Sequence, residues 1–207
     1  MKLCWPAPER NKTPILDVLR RVLPEKGTLL EIASGTGQHV AYFAEQLPHL
    51  YFVPSDINLA NLESIRAHRD ELLTRANTSA ATGTENNVLE PREIDVRSSD
   101  WAVGKVEAVF CANMIHIAPW SCTVGLLDGV GRNLTVPGVF VLYGPFKVAG
   151  RHTAPSNEEF DLTLRARDET WGVRDVEAVT ALAEAQGLVL DERVAMPSNN
   201  QCLVFRR

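Results

Sequence analysis

Residues 29–38 read Leu29-Leu30-Glu31-Ile32-Ala33-Ser34-Gly35-Thr36-Gly37-Gln38. The apolar run from Thr28 to Ile32 has the length and composition of a short buried strand. Two glycines break it, and a helical apolar pattern resumes over residues 38–47. The stretch therefore predicts strand, tight turn and helix in succession. Glycine permits a sharp bend and lets a ligand approach the backbone closely. The start of the following helix offers unpaired N–H groups, which suit an anionic group. In open parallel sheets ligands sit beyond the carboxyl ends of the strands. Ala33, Ser34, Gly35 and Gly37 are accordingly expected to contact a cofactor.

Two cofactor classes use such a turn. A dinucleotide site carries a third glycine that allows close helix–strand packing, and here Val40 stands in its place. Glu31, at the end of the first strand, points to another ligand. A carboxylate there suits a cofactor with an ammonium group and a neighbouring sulfonium, which S-adenosylmethionine has and NAD lacks. The second predicted strand, 50–54, ends in Ser55-Asp56. An acid about 20 residues past the glycines accepts hydrogen bonds from ribose hydroxyls, so Asp56 is expected in that role. The third strand, predicted over 93–96, places Asp95 to accept from an adenine amino group and the Val96 N–H beside a ring nitrogen. Three acids thus fall at three successive strand ends. After the fourth strand, 106–112, Asn113 can offer its carbonyl oxygen to the cofactor ammonium. His116 has two readings, a general base with a pKa near neutrality or a histidine that orders the loop. Trp120 likewise either walls a substrate pocket or anchors a helix start.

The remaining pattern fits one domain over residues 1–207. A first helix is predicted at 14–23, with Thr13 as N-cap and Pro14 at the first helical position. Further helices are predicted at 59–74, 121–134, 158–167 and 176–185, and strands at 139–143, 188–195 and 201–206. Strands alternating with helices imply an α/β fold with a mostly parallel sheet covered on both faces. The last two strands have no helix between them, which predicts an antiparallel hairpin at one edge. Residues 75–91 are polar and aperiodic and read as a flexible surface insertion.

The chain has 207 residues, 45% of them hydrophobic and 23% charged, with a net charge of −5. An acidic balance argues against nucleic acid as a partner. The four cysteines are scattered without a CxxC pair, so no metal site is expected. The opening MKLCWPAPERNK has no apolar signal region, and no apolar run reaches the length of a membrane span. A cytoplasmic location without membrane attachment is expected.

Several further segments carry a family resemblance: Pro8-Glu9-Arg10-Asn11-Lys12, Glu31 through His39, Pro54-Ser55-Asp56, Asn113-Met114-Ile115-His116, Leu142 through Phe146, Arg151-His152-Thr153-Ala154-Pro155-Ser156-Asn157, and Asn199-Asn200. Over nearly its whole length the chain resembles the methyltransferase-like protein 26 family of class I S-adenosylmethionine-dependent methyltransferases. The resemblance implies the Rossmann-like, seven-stranded methyltransferase sheet. It also implies that residues 1–27, through Arg10 and Asn11, form a lid and helix over the site. Tyr143, Arg151, His152 and Asn157, on segments at the ligand edge, join Arg10, Asn11 and Trp120 as substrate-side candidates. The expectation is methyl transfer to a small-molecule acceptor, more readily at oxygen, with S-adenosylhomocysteine as product. The rival readings are an NAD-dependent oxidoreductase and a module of the same fold that binds cofactor or protein without turnover.

Overall fold

The computed structural model describes residues 1–78 and 87–207. Helix α1 (Pro6–Val22) leads into β1 (Gly27–Ile32), α2 (Gln38–Gln46), β2 (Leu50–Asp56) and α3 (Leu59–Thr78). The chain continues through β3 (Arg92–Glu93), β4 (Val106–Ala112), α4 (Trp120–Asn133) and β5 (Leu134–Gly144). Three short strands, β6 (Phe146–Val148), β7 (Arg151–His152) and β8 (Arg174–Asp175), surround α5 (Pro155–Arg167). The chain ends with α6 (Val176–Ala185), β9 (Val189–Met196) and β10 (Asn200–Arg206).

Seven strands form one sheet in the order β3-β2-β1-β4-β5-β10-β9. The first five are parallel, whereas β10 pairs antiparallel with both β5 and β9. The predicted edge hairpin is therefore present, with β10 inserted between β5 and the edge. Two-residue periodicity divides the side chains between two apolar layers. Leu29, Phe110, Val141 and Val204 pack on one face with α1, α2 and α3. Leu30, Val109, Leu142 and Leu203 pack on the other with α4 and α6. Because Glu31 pairs in register with Phe110, its side chain goes to the α1–α2 face. Among the described residues no helix is long and apolar enough to cross a membrane.

Three expectations need correction. Helix α1 starts at Pro6 with extended Trp5 as its N-cap residue, not at Pro14 with Thr13. Pro14 lies inside the helix, where it lacks an N–H. The helix persists because Ile15, Leu16, Val18, Leu19 and Val22 bury its apolar stripe. Strand β3 is only Arg92–Glu93, since Ser98 N–H bonds back to the Asp95 carbonyl and turns the chain out of the sheet. Of the polar stretch 75–91, α3 extends to Thr78. Asn87 and Val88 are tied to the sheet: Asn87 Nδ2 donates to the Ala44 and Leu50 carbonyls, and Val88 bridges Phe52. Residues 79–86 lie outside the described residues. The structure adds a small sheet, β7-β6-β8, which no periodicity announces because each strand has only two or three residues.

Candidate functional site

A cavity of about 470 Å³ lies across the carboxyl ends of β1, β2 and β4, within the range of small-molecule sites. The turn after β1 supplies Ala33, Ser34, Gly35 and Thr36 to its wall. Ala33 and Gly35 both have positive φ, 55° and 56°, so the turn folds tightly enough to expose backbone to the cavity. Gly35 N–H donates to Asp56 Oδ2 at 2.9 Å, and Asn58 N–H donates to Asp56 Oδ1 at 2.9 Å. Asp56 is thereby fixed at the end of β2 with lone pairs left for ligand hydroxyls. Asp95 and Val96 line the next part of the wall. Arg97 holds Asp95 through its N–H, Nε and Nη2, and its guanidinium keeps the carboxyl below the usual range. Asn113, left-handed at φ 62°, completes the series beyond β4.

Glu31 stands behind this wall. It is 2% exposed, and its Oε2 has no hydrogen-bond partner among the described residues. Burial pushes its pKa up to about 8; a hydrogen bond to Ser34 opposes the shift and the Asp56 carboxylate adds to it. Isolated buried carboxylates are costly, so this one is poised for a cationic partner. His39, the second residue of α2, lines the cavity beside Glu31. Its Nδ1 is 3.8 Å from Glu31 Oε1, and its Nε2 is 2.7 Å from Asn11 Oδ1. Burial lowers its pKa to about 4.

The N-terminal segment closes one side. Trp5, Ala7, Pro8 and Asn11 line the cavity. The Trp5 ring lies so near Gly35 that a Cβ there would stand 3.1 Å from it. Gln38 clamps this segment: Trp5 N–H donates to its Oε1 at 2.6 Å, and its Nε2 donates to the Trp5 carbonyl at 3.2 Å and Glu9 Oε1 at 2.6 Å. The sequence reading passed over Trp5, Gln38 and His39 as site residues, although Gln38-His39 closes the glycine motif and was the available signal.

Other expected residues fall elsewhere. Gly37 is off the wall; its φ of 90° and a Cβ position 2.9 Å from the Ile65 backbone make it a packing requirement. The general-base reading of His116 is corrected. The ring is fully buried, packs edge-on against Phe146 at 5.1 Å, and has no partner for either nitrogen among the described residues. Burial, with Arg174 adding to it, drives its pKa down to about 3. A neutral, enclosed imidazole off the cavity wall cannot take a proton from a ligand there. Its carbonyl accepts from Gly172 N–H at 2.9 Å, which fits the loop-ordering reading.

Of the substrate-side candidates only Asn11 lines the cavity. Tyr143 is buried behind it, and burial raises its pKa against a hydrogen bond from Asn11. Arg10 is exposed on α1. Trp120 starts α4 beneath the Arg174 guanidinium, 5.6 Å from its ring, as a packing anchor. His152 approaches Asp161 at 3.4 Å on the small sheet, where Arg151 pairs with Val148. Asn157 Nδ2 donates to Thr153 Oγ1 and the Asn199 carbonyl, so the two family motifs meet each other rather than the cavity.

Residues 2–207 match the profile of a family described as a protein of unknown function, DUF938. The chain belongs to this family. Its fold is similar to that of several solved structures. The pyocyanin biosynthetic protein PhzM matches this DUF938 chain with a TM-score of 0.71 at 16% identity, over 93% of this chain and 54% of PhzM. CalO1, a methyltransferase in calicheamicin biosynthesis in its SAH-bound form, matches at 0.65 and 20% identity, over 94% and 53%. An O-methyltransferase family protein from Burkholderia thailandensis matches at 0.72 and 14% identity, over 95% and 56%. The chain spans about half the length of these structures. At such identities the likeness establishes the fold, the Rossmann-like sheet of class I methyltransferases.

Proposed function

We propose that this DUF938 chain binds S-adenosylmethionine and transfers its methyl group to a small-molecule acceptor, with oxygen the favoured acceptor atom. The carrying observation is Glu31, a carboxylate enclosed at the end of β1 with Oε2 unpartnered among the described residues. Such a group calls for a buried cation, and the ammonium of the methionine moiety answers it. The neighbouring donor set suits the rest of the cofactor: Asp56 for ribose hydroxyls, Asp95 and Val96 for adenine, and the Ala33–Gly35 turn for the methionine backbone. Asn113 stands beside the β1 turn, where its carbonyl oxygen can share the ammonium. Bound there, the cofactor supplies an activated methyl group as electrophile. The protein's own work is then alignment and exclusion of water, which supply much of the acceleration in such transfers. No residue of the described wall is required as a base when the acceptor arrives deprotonated.

Arg151 and His152 of the small sheet and Asn157 of α5 serve to hold that lobe together, and Asn11, backed by the Tyr143 hydroxyl, stands on the acceptor side. Several of the structurally similar proteins are O-methyltransferases, which supports oxygen as the acceptor atom. The motif matches support the finer placement near the methyltransferase-like protein 26 group. An NAD-dependent oxidoreductase is disfavoured, because a dinucleotide leaves Glu31 without a partner. Calorimetric titration with S-adenosylmethionine, S-adenosylhomocysteine and NAD tests the reading. Micromolar binding of the sulfonium S-adenosylmethionine and of the thioether S-adenosylhomocysteine, weakened in Glu31→Gln and Asp56→Ala, is expected. Binding of NAD alone would overturn it.

A further inference from the structure

The polar chain behind the cavity has a middle member that cofactor recognition by the acids leaves idle. His39 is 6% exposed, and its ring is stacked on Phe43 at 5.4 Å and edge-on to Phe110 at 5.9 Å, so its orientation is fixed by packing. The hydrogen-bond pattern assigns its proton. Asn11 Oδ1, 2.7 Å from Nε2, is an acceptor, so Nε2 carries the hydrogen and Nδ1 is a bare lone pair. That lone pair faces Glu31 Oε1 at 3.8 Å. The separation is too long for a hydrogen bond between them. It is the spacing at which one ammonium nitrogen reaches both acceptors at once, with a third N–H to spare. On its other side His39 secures helix α1, because Asn11 continues the chain to the Tyr143 hydroxyl.

We propose that His39 is a cofactor-positioning residue, its Nδ1 and Glu31 Oε1 jointly receiving the cofactor ammonium while its Nε2–H holds Asn11 and α1 over the bound molecule. The proposal rests on the reading of the cavity as an S-adenosylmethionine site. It links three elements that local sequence does not connect: β1 through Glu31, α2 through His39 and α1 through Asn11. The charged groups nearest to His39 besides Glu31 are Glu9 and Lys12, which pair with each other on α1 at 2.5 Å.

The test compares S-adenosylhomocysteine with its analogue lacking the α-amino group, titrated into wild type, His39→Leu and His39→Gln. Loss of one charge-assisted hydrogen bond predicts that His39→Leu binds S-adenosylhomocysteine on the order of tenfold or more weakly. Its affinity for the deaminated analogue should fall far less. His39→Gln keeps an amide donor for Asn11, so it should restore slow backbone hydrogen exchange over residues 6–12 that His39→Leu loses. Thermal unfolding verifies that each variant is folded, and His39→Gln carries the comparison if His39→Leu is not. Equal loss for both ligands would reduce His39 to a packing residue and overturn the proposal, as would no loss for either. Failure of wild type to bind S-adenosylhomocysteine would instead overturn the cofactor reading on which it depends.

Discussion

Glu31 has the most informative environment of any single residue here. Its carboxyl is pushed up to about 8 by burial, so it is largely protonated in the ligand-free protein at neutral pH. An ammonium ligand favours the ionised form and must drive the proton off. Binding of S-adenosylmethionine between pH 6 and 7 should therefore release close to one proton. Titrations in two buffers of different ionisation enthalpy measure this, and Glu31→Gln should abolish the release. His116 makes the opposite case. Both of its nitrogens are buried without partners among the described residues, a cost of about 1–3 kcal/mol for each unsatisfied group. His116→Leu should consequently keep cofactor affinity unchanged and leave stability within about 1.5 kcal/mol of wild type, in either direction. A large loss of cofactor binding with the fold intact would place His116 back at the site.

At the scale of elements, the turn between β1 and α2 joins two demands. Gly37 needs a positive φ of 90° and leaves no room for a Cβ against Ile65. Gly37→Ala should destabilise the protein by roughly 2–3 kcal/mol, from backbone strain and overpacking together, read as a lower urea midpoint at unchanged m-value. Its effect on the site is indirect, through the seating of α2 and hence His39. The segment before α1 behaves differently. Trp5 is 48% exposed and covers Gly35 without anchoring the core. Trp5→Ala should thus weaken cofactor binding by about five- to tenfold, on the order of 1 kcal/mol, and barely move the unfolding temperature. Equal losses in stability and affinity would mean that Trp5 is core rather than cover.

The whole molecule titrates as a set of buried groups. His39, His68 and His116 are held below their ordinary value of 6.5, chiefly by burial, so the folded state binds fewer protons than the unfolded chain below that pH. Their contribution to stability grows as pH rises toward about 6.5 and is lost in acid. Glu31 has the reverse sign: its folded pKa is raised, so stability falls as pH climbs from 4.5 to about 8. The unfolding temperature should therefore peak between about pH 6 and 7, and Glu31→Gln should flatten the alkaline side and steepen the rise between about pH 4.5 and 6.5, where the Glu31 contribution opposes that of the histidines. A differential scanning series over pH 4 to 9 measures both limbs.

Local order in the chain was enough to determine the strand–turn–helix at residues 28–47, the two-sided strands and the closing hairpin. Those features follow from backbone period and from glycine's access to positive φ, which neighbouring residues impose on one another. The acids at successive strand ends could be read for the same reason, since in a parallel sheet each strand end reaches one edge. Only the tertiary structure decided which of these groups share a cavity. His116 and Glu31 are both buried polar residues on the carboxyl side of the sheet, in the loop after β4 and in β1, yet one is sealed against Phe146 and the other lies behind the cavity wall. The start of α1 was misplaced because Pro6 and Pro14 carry the same local signal. Choosing between them took the contacts of Trp5 with Gln38 and Gly35, more than 25 residues away. The Arg151–Asn157 motif likewise looked like a ligand loop until Asn157 was seen bonded to Asn199. Periodicity reports which face a side chain takes; which partners meet on that face depends on register and packing between segments distant in sequence.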